Sequence, residues 1–588
     1  YQALKALSTG TAAVGLGYRA LESNTTGANN VAVGYDAGRA ITTGASNVAV
    51  GSYALQATTT ANSNTTVGDV SLTANTTGAE NTAFGKGALN ANTTASSNTA
   101  VGMNAMNVNT TGAQNVAVGK YALDANTTAN YNTAVGEQSL SANTTGHSNT
   151  GLGRAALQAN TTSNYNTAAG YNSLAVNTTG ASNTAVGAFA LDANTTASNN
   201  TAIGYNALTE NTTGSANTVV GDIALDANTT GDYNTAVGRN ALGANTTADD
   251  NCALGVSALA ANTTGTSNAA FGRAALEANT TANHNTGFGY NALNDNTTGG
   301  ENTAVGSKSL DANTTGDENT AIGYAALGAN TTGGENVAVG RATLDGNTIG
   351  EKNVAVGNAA LGANTEGSQC TAVGYDALAA NTTAAYNTAF GYKALISNTT
   401  GNTNTALGRV ALYTNTVGDR NVAVGNGALY TYNPASNEDS YNVAVGYGAL
   451  TSDTTGKYNT AVGGESLAAN TTASNNTAVG YLALNANTTG DYNSAVGAYA
   501  LDANTTGSHN ASVGYYSMNA NTTGTYNAAY GYNAMGANTT GSRNTAIGYG
   551  TLDANTTGGY NTAVGIFAMT ASTGDGYNAA FGYMAMGT

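Results

Sequence analysis

The chain has little of the chemistry on which a globular enzyme depends. Only 8% of its 588 residues are charged, and it has one proline, two cysteines, three histidines and no tryptophan. A typical globular protein is roughly 25% charged. No stretch approaches ~18 uninterrupted apolar residues, so we expect no membrane span. The net charge of −17 is spread thinly without basic clusters, so we expect no nucleic-acid partner.

The few reactive side chains are far apart in the sequence. His147, His284 and His509 neighbour no recurring carboxylate, so no nucleophile–base pair and no metal-ligand cluster can be assembled. Cys252 and Cys370 are separated by many repeats, which predicts two unpaired thiols, buried or half-buried. We therefore expect no enzyme, no catalytic, cofactor-binding or metal-binding residues, and no cofactor.

What the chain does contain is one short repeat. Asn200-Thr-Ala-Ile-Gly204 returns as Asn217-Thr-Val-Val-Gly221 and again at Asn234, a step of 17 residues. We number the repeat from this Asn as positions 1 to 17. The register is unbroken over 30–421 and again over 442–578, and residues from Tyr1 onward fit it more weakly. A fixed short period indicates units that stack on their neighbours.

This repeat predicts an all-β fold. Seventeen residues are too few for a helical-hairpin repeat, which takes about 33 or more. Recurring Gly disfavours helix interiors, while Asn, Thr and Gly suit short strands joined by tight corners. We expect a single parallel β-solenoid, or β-roll, in which each repeat is one coil. About 34 coils of about 4.8 Å each would make a rod on the order of 160 Å long.

The recurring apolar residues predict a core. Position 4 is nearly always Val, Ile, Leu or Phe, and position 9 is nearly always Leu or Met. Both are expected to face inward, with position 2 on the same face as position 4 because strand side chains alternate. The expected core rows are Ile203, Val220 and Val237 at position 4, and Leu208, Leu225 and Leu242 at position 9.

Small residues mark other positions. Position 3 is almost always Ala, and position 8 is mostly Ala, Ser or Thr. On the expected facing they lie opposite the core, and two explanations stay open: close approach of a second chain, or a flattened coil without room. Position 5 is always Gly, which predicts a positive φ or a corner without space for Cβ. Position 15 varies among Gly214, Ala129 and Ser163, which predicts an ordinary φ.

Polar residues recur as rows. Asn at positions 1 and 12 is expected to form stacked amide ladders, and Thr at positions 13 and 14 to add hydroxyl rows. Tyr concentrates at positions 6 and 17, for example Tyr205 and Tyr233, and is expected on the surface. Most coils carry Asn-x-Thr at position 12, formally a glycosylation acceptor, although turn chemistry alone explains the pattern.

One coil is four residues longer than the rest. We expect solenoid coils over 1–429, a longer loop over 430–441 and continuing coils over 442–588. The segment contains the only proline, Pro434, which fits poorly inside a β-ladder. We expect a loop protruding at Asn433–Ser440, while the flanking residues keep the core register: Val422, Val424, Leu429, Val443 and Val445.

The added loop has two interpretations. Surface loops absorb insertions cheaply, so it is either a tolerated insertion or a recognition or cation-binding knob that uses Asn437, Glu438 and Asp439.

Two families share these motifs. Asn-Val-Ala-Val-Gly, at 30–34, 47–51 and 442–446, resembles a strand of trimeric autotransporter adhesin heads, which are left-handed parallel β-rolls. The fuller unit at 204–221 and 391–408 resembles repeats of bacteriophage tail-fibre proteins. The resemblance implies a homo-oligomer, with a parallel trimer as the first expectation and filament packing as the second.

Three function classes follow from the sequence. The first is a structural fibre or shaft of a virion or cell surface, located outside the cell. The second is an ice- or flat-surface-binding solenoid that uses Thr rows. The third is a tailspike that binds or cleaves glycans, which would need a carboxylate pair about 5–10 Å apart, and only Glu438-Asp439 offers an acid cluster. The expected partners are copies of the chain and surface glycans.

Overall fold

The computed structural model describes residues 2–587, so the weak register fit at Tyr1 lies outside the described range. Within this range no residue is helical, and every strand is three residues long. None of the described residues therefore forms a helix long and apolar enough to cross a membrane. The chain divides into two compact units, Tyr1–Asn291 and Ala292–Thr588, and each is a parallel β-solenoid of 17-residue coils.

The first unit contains seventeen strands, one per coil. They are β1 (Val14–Leu16), β2 (Val31–Val33), β3 (Val48–Val50), β4 (Thr65–Val67), β5 (Thr82–Phe84), β6 (Thr99–Val101), β7 (Val116–Val118), β8 (Thr133–Val135), β9 (Thr150–Leu152), β10 (Thr167–Ala169), β11 (Thr184–Val186), β12 (Thr201–Ile203), β13 (Thr218–Val220), β14 (Thr235–Val237), β15 (Cys252–Leu254), β16 (Ala269–Phe271) and β17 (Thr286–Phe288).

The second unit repeats the same arrangement. Its strands are β18 (Thr303–Val305), β19 (Thr320–Ile322), β20 (Val337–Val339), β21 (Val354–Val356), β22 (Thr371–Val373), β23 (Thr388–Phe390), β24 (Thr405–Leu407), β25 (Val422–Val424), β26 (Val443–Val445), β27 (Thr460–Val462), β28 (Thr477–Val479), β29 (Ser494–Val496), β30 (Ala511–Val513), β31 (Ala528–Tyr530), β32 (Thr545–Ile547), β33 (Thr562–Val564) and β34 (Ala579–Phe581).

Within each unit, consecutive strands pair in parallel with like positions opposite each other. In the first unit Thr201 pairs with Thr218 and Ile203 with Val220. The register predicted from the sequence is therefore confirmed within each unit.

The rest of each coil consists of turns whose backbone groups hydrogen-bond to the neighbouring coil. Positions 7, 9 and 17 have positive φ, as at Asn206 (53°), Leu208 (56°) and Ala216 (58°). The backbone N–H of Leu208 donates to the carbonyl of Ala224 at 3.0 Å. This side of the coil is stacked by hydrogen bonds without forming a β-strand, which explains why each coil has a single strand.

The interior is lined by positions 3, 8 and 9. Ala202, Ala207 and Leu208 are completely buried, whereas Ile203 at position 4 is 39% exposed. The prediction that position 9 lies in the core is confirmed. The prediction that position 4 lies there is wrong, because position 3 points inward and strand alternation turns its neighbours outward.

Position 4 points outward along both units, and position 2 points outward as well. Val220 at position 4 is 36% exposed, and Val237 is half-buried on the same outer side. The small residues at positions 3 and 8 do not face a second chain, since they line the inside of the coil. Leu at position 9 and Asn at positions 1 and 12 are also buried, so position 3 is mostly Ala, although Val219 and Thr66 are accommodated there completely buried.

Glycine at position 5 has the predicted conformation. The φ angles of Gly204, Gly221 and Gly238 are +146°, +153° and +134°. A Cβ built on Gly221 would lie 2.3 Å from the carbonyl oxygen of Gly238 in the next coil. Position 15, by contrast, has no positive φ at Gly214 or Ala129, so the prediction of an ordinary conformation there is also confirmed.

The predicted amide ladders are present and buried. At position 1, the backbone N–H of Asn217 donates to Oδ1 of Asn200 at 2.9 Å. At position 12, Nδ2 of Asn228 donates to Oδ1 of Asn211 at 2.9 Å and to the carbonyl of Gly231 at 3.0 Å. Each Asn side chain thus closes its own corner and ties it to the neighbouring coil, which satisfies polar groups that would be costly to bury unpaired.

Candidate interaction surfaces

The outward side of the strands forms a surface without charge. We call positions 2 and 4 of the strands the outer sheet face. In the described strands position 2 is Thr, Val, Ala, Ser or Cys, and position 4 is Val, Ile, Leu, Phe, Ala or Tyr. Many of these side chains are exposed, including Leu254 at 46%, Phe288 at 55% and Phe390 at 51%. Exposed surfaces rich in apolar side chains are a common feature of interaction sites.

Aromatic rows border this face, and their predicted surface location is confirmed. Near the end of the second unit, position 17 carries stacked rings: Tyr492 and His509 have centroids 5.0 Å apart, and His509 and Tyr526 4.7 Å apart. The guanidinium of Arg543 continues the row between Tyr526 and Tyr560. Because neighbours cover the ring faces, each ring presents an edge to solvent.

Position 6, beyond the strand's other end, carries a second aromatic row. Tyr515 and Tyr532 have centroids 5.6 Å apart, and Tyr532 and Tyr549 4.9 Å apart. Stacking of like residues in successive coils therefore stabilises both edges of the outer sheet face.

The Thr residues at positions 13 and 14 form two files with different roles. At position 13, Oγ1 of Thr212 donates to the carbonyl of Thr229 at 3.0 Å, and Thr229 donates likewise to Thr246. This predicted hydroxyl row is confirmed, and its hydroxyl groups donate hydrogen bonds that link successive coils. Thr213 at position 14 is exposed.

The longer coil is built around a buried tyrosine. Tyr432 stands where the preceding coil has Asn415, its ring is completely buried, and its hydroxyl donates to Oγ of Ser440 at 2.5 Å. Residues 435–437 are exposed, whereas Pro434 is buried. The flanking strands keep their register, with Val422 opposite Val443 and Val424 opposite Val445. Those Val residues lie on the outer sheet face, so their expected place in the core is wrong, while that of Leu429 is confirmed.

The acidic residues of this loop are held in ion pairs. Glu438 lies 2.7 Å from Nζ of Lys457, and Asp439 pairs with the guanidinium of Arg420. Among residues 2–587, no three His, Cys, Asp or Glu side chains are grouped so that they could hold a metal ion. The structure therefore gives the predicted cation-binding use of Asn437, Glu438 and Asp439 no support.

The histidines and cysteines belong to the repeat pattern. His147 meets Tyr165 edge-on with centroids 5.1 Å apart, and His284 is exposed at position 17. Both thiols are free, as predicted: Cys252 is half-buried at position 2, and Cys370 is buried in an Asn place at position 1. Burial raises the pKa of Cys370 to about 11, so its thiol stays protonated.

Sequence reasoning missed one residue with unusual electrostatics. Asp453 is completely buried at position 12, where most other coils have Asn. Its Oδ1 accepts hydrogen bonds from the backbone N–H of Gly456 at 2.9 Å and from Nδ2 of Asn470 at 3.2 Å. Its Oδ2 has no hydrogen-bond partner, and desolvation raises the pKa of the carboxyl to about 7. The signal was in the sequence, as a departure from Asn beside the insertion.

Neither the protein-family models nor the curated proteins give a match to this chain.

Proposed function

We propose that this chain is a structural fibre or shaft protein of a virion or cell surface, which supports attachment or forms an extracellular filament. The supporting observation is the outer sheet face, an exposed surface without charge that recurs at every coil. A repeated surface of this kind suits repeated contact along the chain.

The partner proposed for this face is a second copy of the chain. A strand of three residues is about 10 Å long and each coil adds about 4.8 Å, so seventeen coils present roughly 800 Å². That is about what each partner contributes to a standard stable interface. The small residues at positions 3 and 8, for which close approach of a second chain was one explanation, are buried, so the outer sheet face is the proposed contact surface in their place. A parallel trimer, which the resemblance implies, is the first arrangement and lateral filament packing the second.

The test compares association before and after charges are placed on this face. A triple variant, Ile203→Asp, Val220→Asp and Val237→Asp, puts three carboxylates on adjacent strands without touching the interior. The matched control, Thr213→Asp, Thr230→Asp and Thr247→Asp, puts the same charges at position 14, away from the face. Sedimentation velocity should show an oligomer for the wild type and the control, and monomer for the triple variant. A wild-type protein that stays monomeric at micromolar concentration, or a triple variant that assembles normally, would contradict the proposal.

A second function is favoured by a separate observation. Position 2 places Thr201, Thr218 and Thr235 side by side on a parallel sheet, a regular array with a spacing of about 4.8 Å. Such an array could match the surface of ice or another flat lattice. Thermal hysteresis of the purified protein, abolished by Thr218→Lys, would favour this function, and its absence would exclude ice.

A further inference from the structure

The row of stacked Asn side chains at position 12 is interrupted at one place in the second unit. The proposed fibre function does not use this place. In the second unit, Asn415 donates from Nδ2 to Oδ1 of Asn398 at 3.0 Å and to the carbonyl of Gly418 at 3.1 Å. The next two places in the row are Tyr432 and Asp453, after which Asn470 resumes it. The insertion is therefore the point at which the amide ladder is replaced by a phenol and a carboxyl group.

The two carboxyl oxygens of Asp453 have different hydrogen-bonding environments. Oδ1 accepts from the backbone N–H of Gly456 and from Asn470, which matches how Oδ1 of Asn415 accepts from Gly418 N–H. Oδ2 consequently corresponds to Nδ2 of an asparagine, the atom that donates to the carbonyl three residues later. An ionised Oδ2 cannot donate, so a buried acceptor stands where the coil needs a donor.

A proton on Oδ2 removes this conflict. The protonated carboxyl has one O–H donor and one carbonyl acceptor, which supplies the donor that Nδ2 of Asn directs at the carbonyl three residues later. The second Nδ2 donor of a ladder Asn, which meets the preceding amide oxygen in Asn415, has no such acceptor here because the preceding place is Tyr432. We propose that Asp453 is a proton-operated latch, which holds Tyr432 and the loop Asn433–Ser440 in place when protonated and releases them when ionised. The latch makes the insertion a pH-responsive element of the solenoid.

The charged groups around the latch do not supply a counter-ion for Asp453. Asp453, Glu438 and Asp419 all act on Tyr432 with negative charge. Lys457 and Arg420 are the nearby cations, and they are already paired with Glu438 and Asp439. Burial and these charges raise the pKa of Tyr432, so the phenol stays neutral.

The direction of the pH effect follows from linkage. The carboxyl of Asp453 has its pKa raised from 3.8 to about 7 in the folded coil. Its contribution to stability is complete below the unfolded pKa and is lost as pH rises towards the folded pKa. The opening equilibrium of this segment should increase about tenfold per pH unit between roughly pH 4 and pH 7 and then level off.

Hydrogen exchange on the full chain tests the latch. Protection of residues 430–458 would be measured at about pH 5 and about pH 8 and corrected for the intrinsic exchange rate at each pH. We expect the wild type to lose protection over this interval by at least tenfold more than the other coils. In Asp453→Asn, which restores the amide of the ladder, protection should be the same at both pH values and higher than wild type at about pH 8.

Three control substitutions make the result specific. Glu438→Gln and Asp439→Asn neutralise the other acids of the loop and should leave the pH dependence in place. Asn364→Asp puts a carboxyl into an unbroken part of the ladder, where Nδ2 of Asn364 now donates to Asn347 and Gly367, and should create a new pH-dependent opening there. Equal pH dependence in wild type and Asp453→Asn, or none in wild type, would overturn the latch. Neither outcome would affect the proposed fibre function, whose test is association.

Discussion

Glycine occupies position 5 because the backbone and the neighbouring coil both require it. The φ of Gly221 lies in a region that L side chains rarely adopt, and its Cβ would overlap the carbonyl of the next coil. Position 15 is also tightly packed, yet Ala129 and Ala248 are accommodated there with ordinary φ. Backbone conformation therefore separates an invariant glycine from a replaceable one.

This distinction predicts different effects for two substitutions. Gly221→Val should destabilise its coil by more than about 1–3 kcal/mol, the strain cost of an unfavourable φ alone, because the steric overlap adds to it. Gly214→Ala should cost less: its Cβ would also approach a backbone carbonyl, that of Gly231, but φ there is ordinary and other coils carry Ala at this position. Local hydrogen exchange is the suitable measurement, since long repeat arrays do not unfold in a two-state manner. Equal losses of protection in the two variants would contradict the backbone argument.

Leucine at position 9 is the main apolar filling of the coil. Leu225 is completely buried, and Met106 and Met518 occupy the same place in other coils. Leu225→Asp should bury an unpaired carboxylate and cost about 3–5 kcal/mol, opening the coils next to it. Leu225→Met should cost less than about 1.5 kcal/mol. Thermal unfolding and hydrogen exchange of both variants would check this, and an aspartate variant as stable as the methionine variant would show that the core is misassigned.

At the scale of the coil, much of the structure could be predicted from the sequence. The 17-residue step, the glycine corners, the amide ladders and the surface tyrosines all follow from the recurrence of one residue type at one position. The facing of the strand was predicted wrongly, because larger apolar residues are usually buried. Here the nearly constant small residue at position 3, such as Ala202, was the better indicator of the inward side, because a thin interior favours small residues.

The insertion shows a second limit of sequence reasoning. Its length and its retained register could be predicted, but the burial of Tyr432 depends on a space that exists only once the coils are stacked. The ring replaces an amide, and the four added residues bring Ser440 to its hydroxyl. Asp453 departs from the usual Asn already in the sequence, but its burial and the missing hydrogen-bond partner of its Oδ2 are visible only in the structure.

A deletion tests whether the loop and Tyr432 depend on each other. Removing residues 435–438 alone should destabilise the coil, because the ring keeps its place while the segment that reaches Ser440 is lost. The same deletion combined with Tyr432→Asn should recover stability, because the amide can rejoin the ladder after Asn415. Protection of the strands Val422–Val424 and Val443–Val445 from hydrogen exchange would report both outcomes. If the deletion alone does not destabilise the coil, the added residues are not required to accommodate the buried tyrosine.

At the scale of the whole molecule, charge and apolar surface are separated. The chain carries a net charge of −17, yet none of the described strand residues that form the outer sheet face is charged. The net negative charge of the remaining surface makes separate copies repel each other. In the proposed association, burial of the apolar face therefore favours assembly, and long-range charge repulsion between copies opposes it.

This balance predicts how salt should affect assembly. The Debye length falls from about 30 Å at 0.01 M salt to about 10 Å at 0.1 M and about 3 Å at 1 M. Screening should weaken the repulsion and leave apolar burial intact, so the dissociation constant should fall as salt rises. An interface held by ion pairs would respond in the opposite sense. Sedimentation across this salt range would separate the two, with the triple aspartate variant as the control that should stay monomeric throughout. Dissociation of the wild type on adding salt would show that charged side chains, rather than the outer sheet face, hold the copies together.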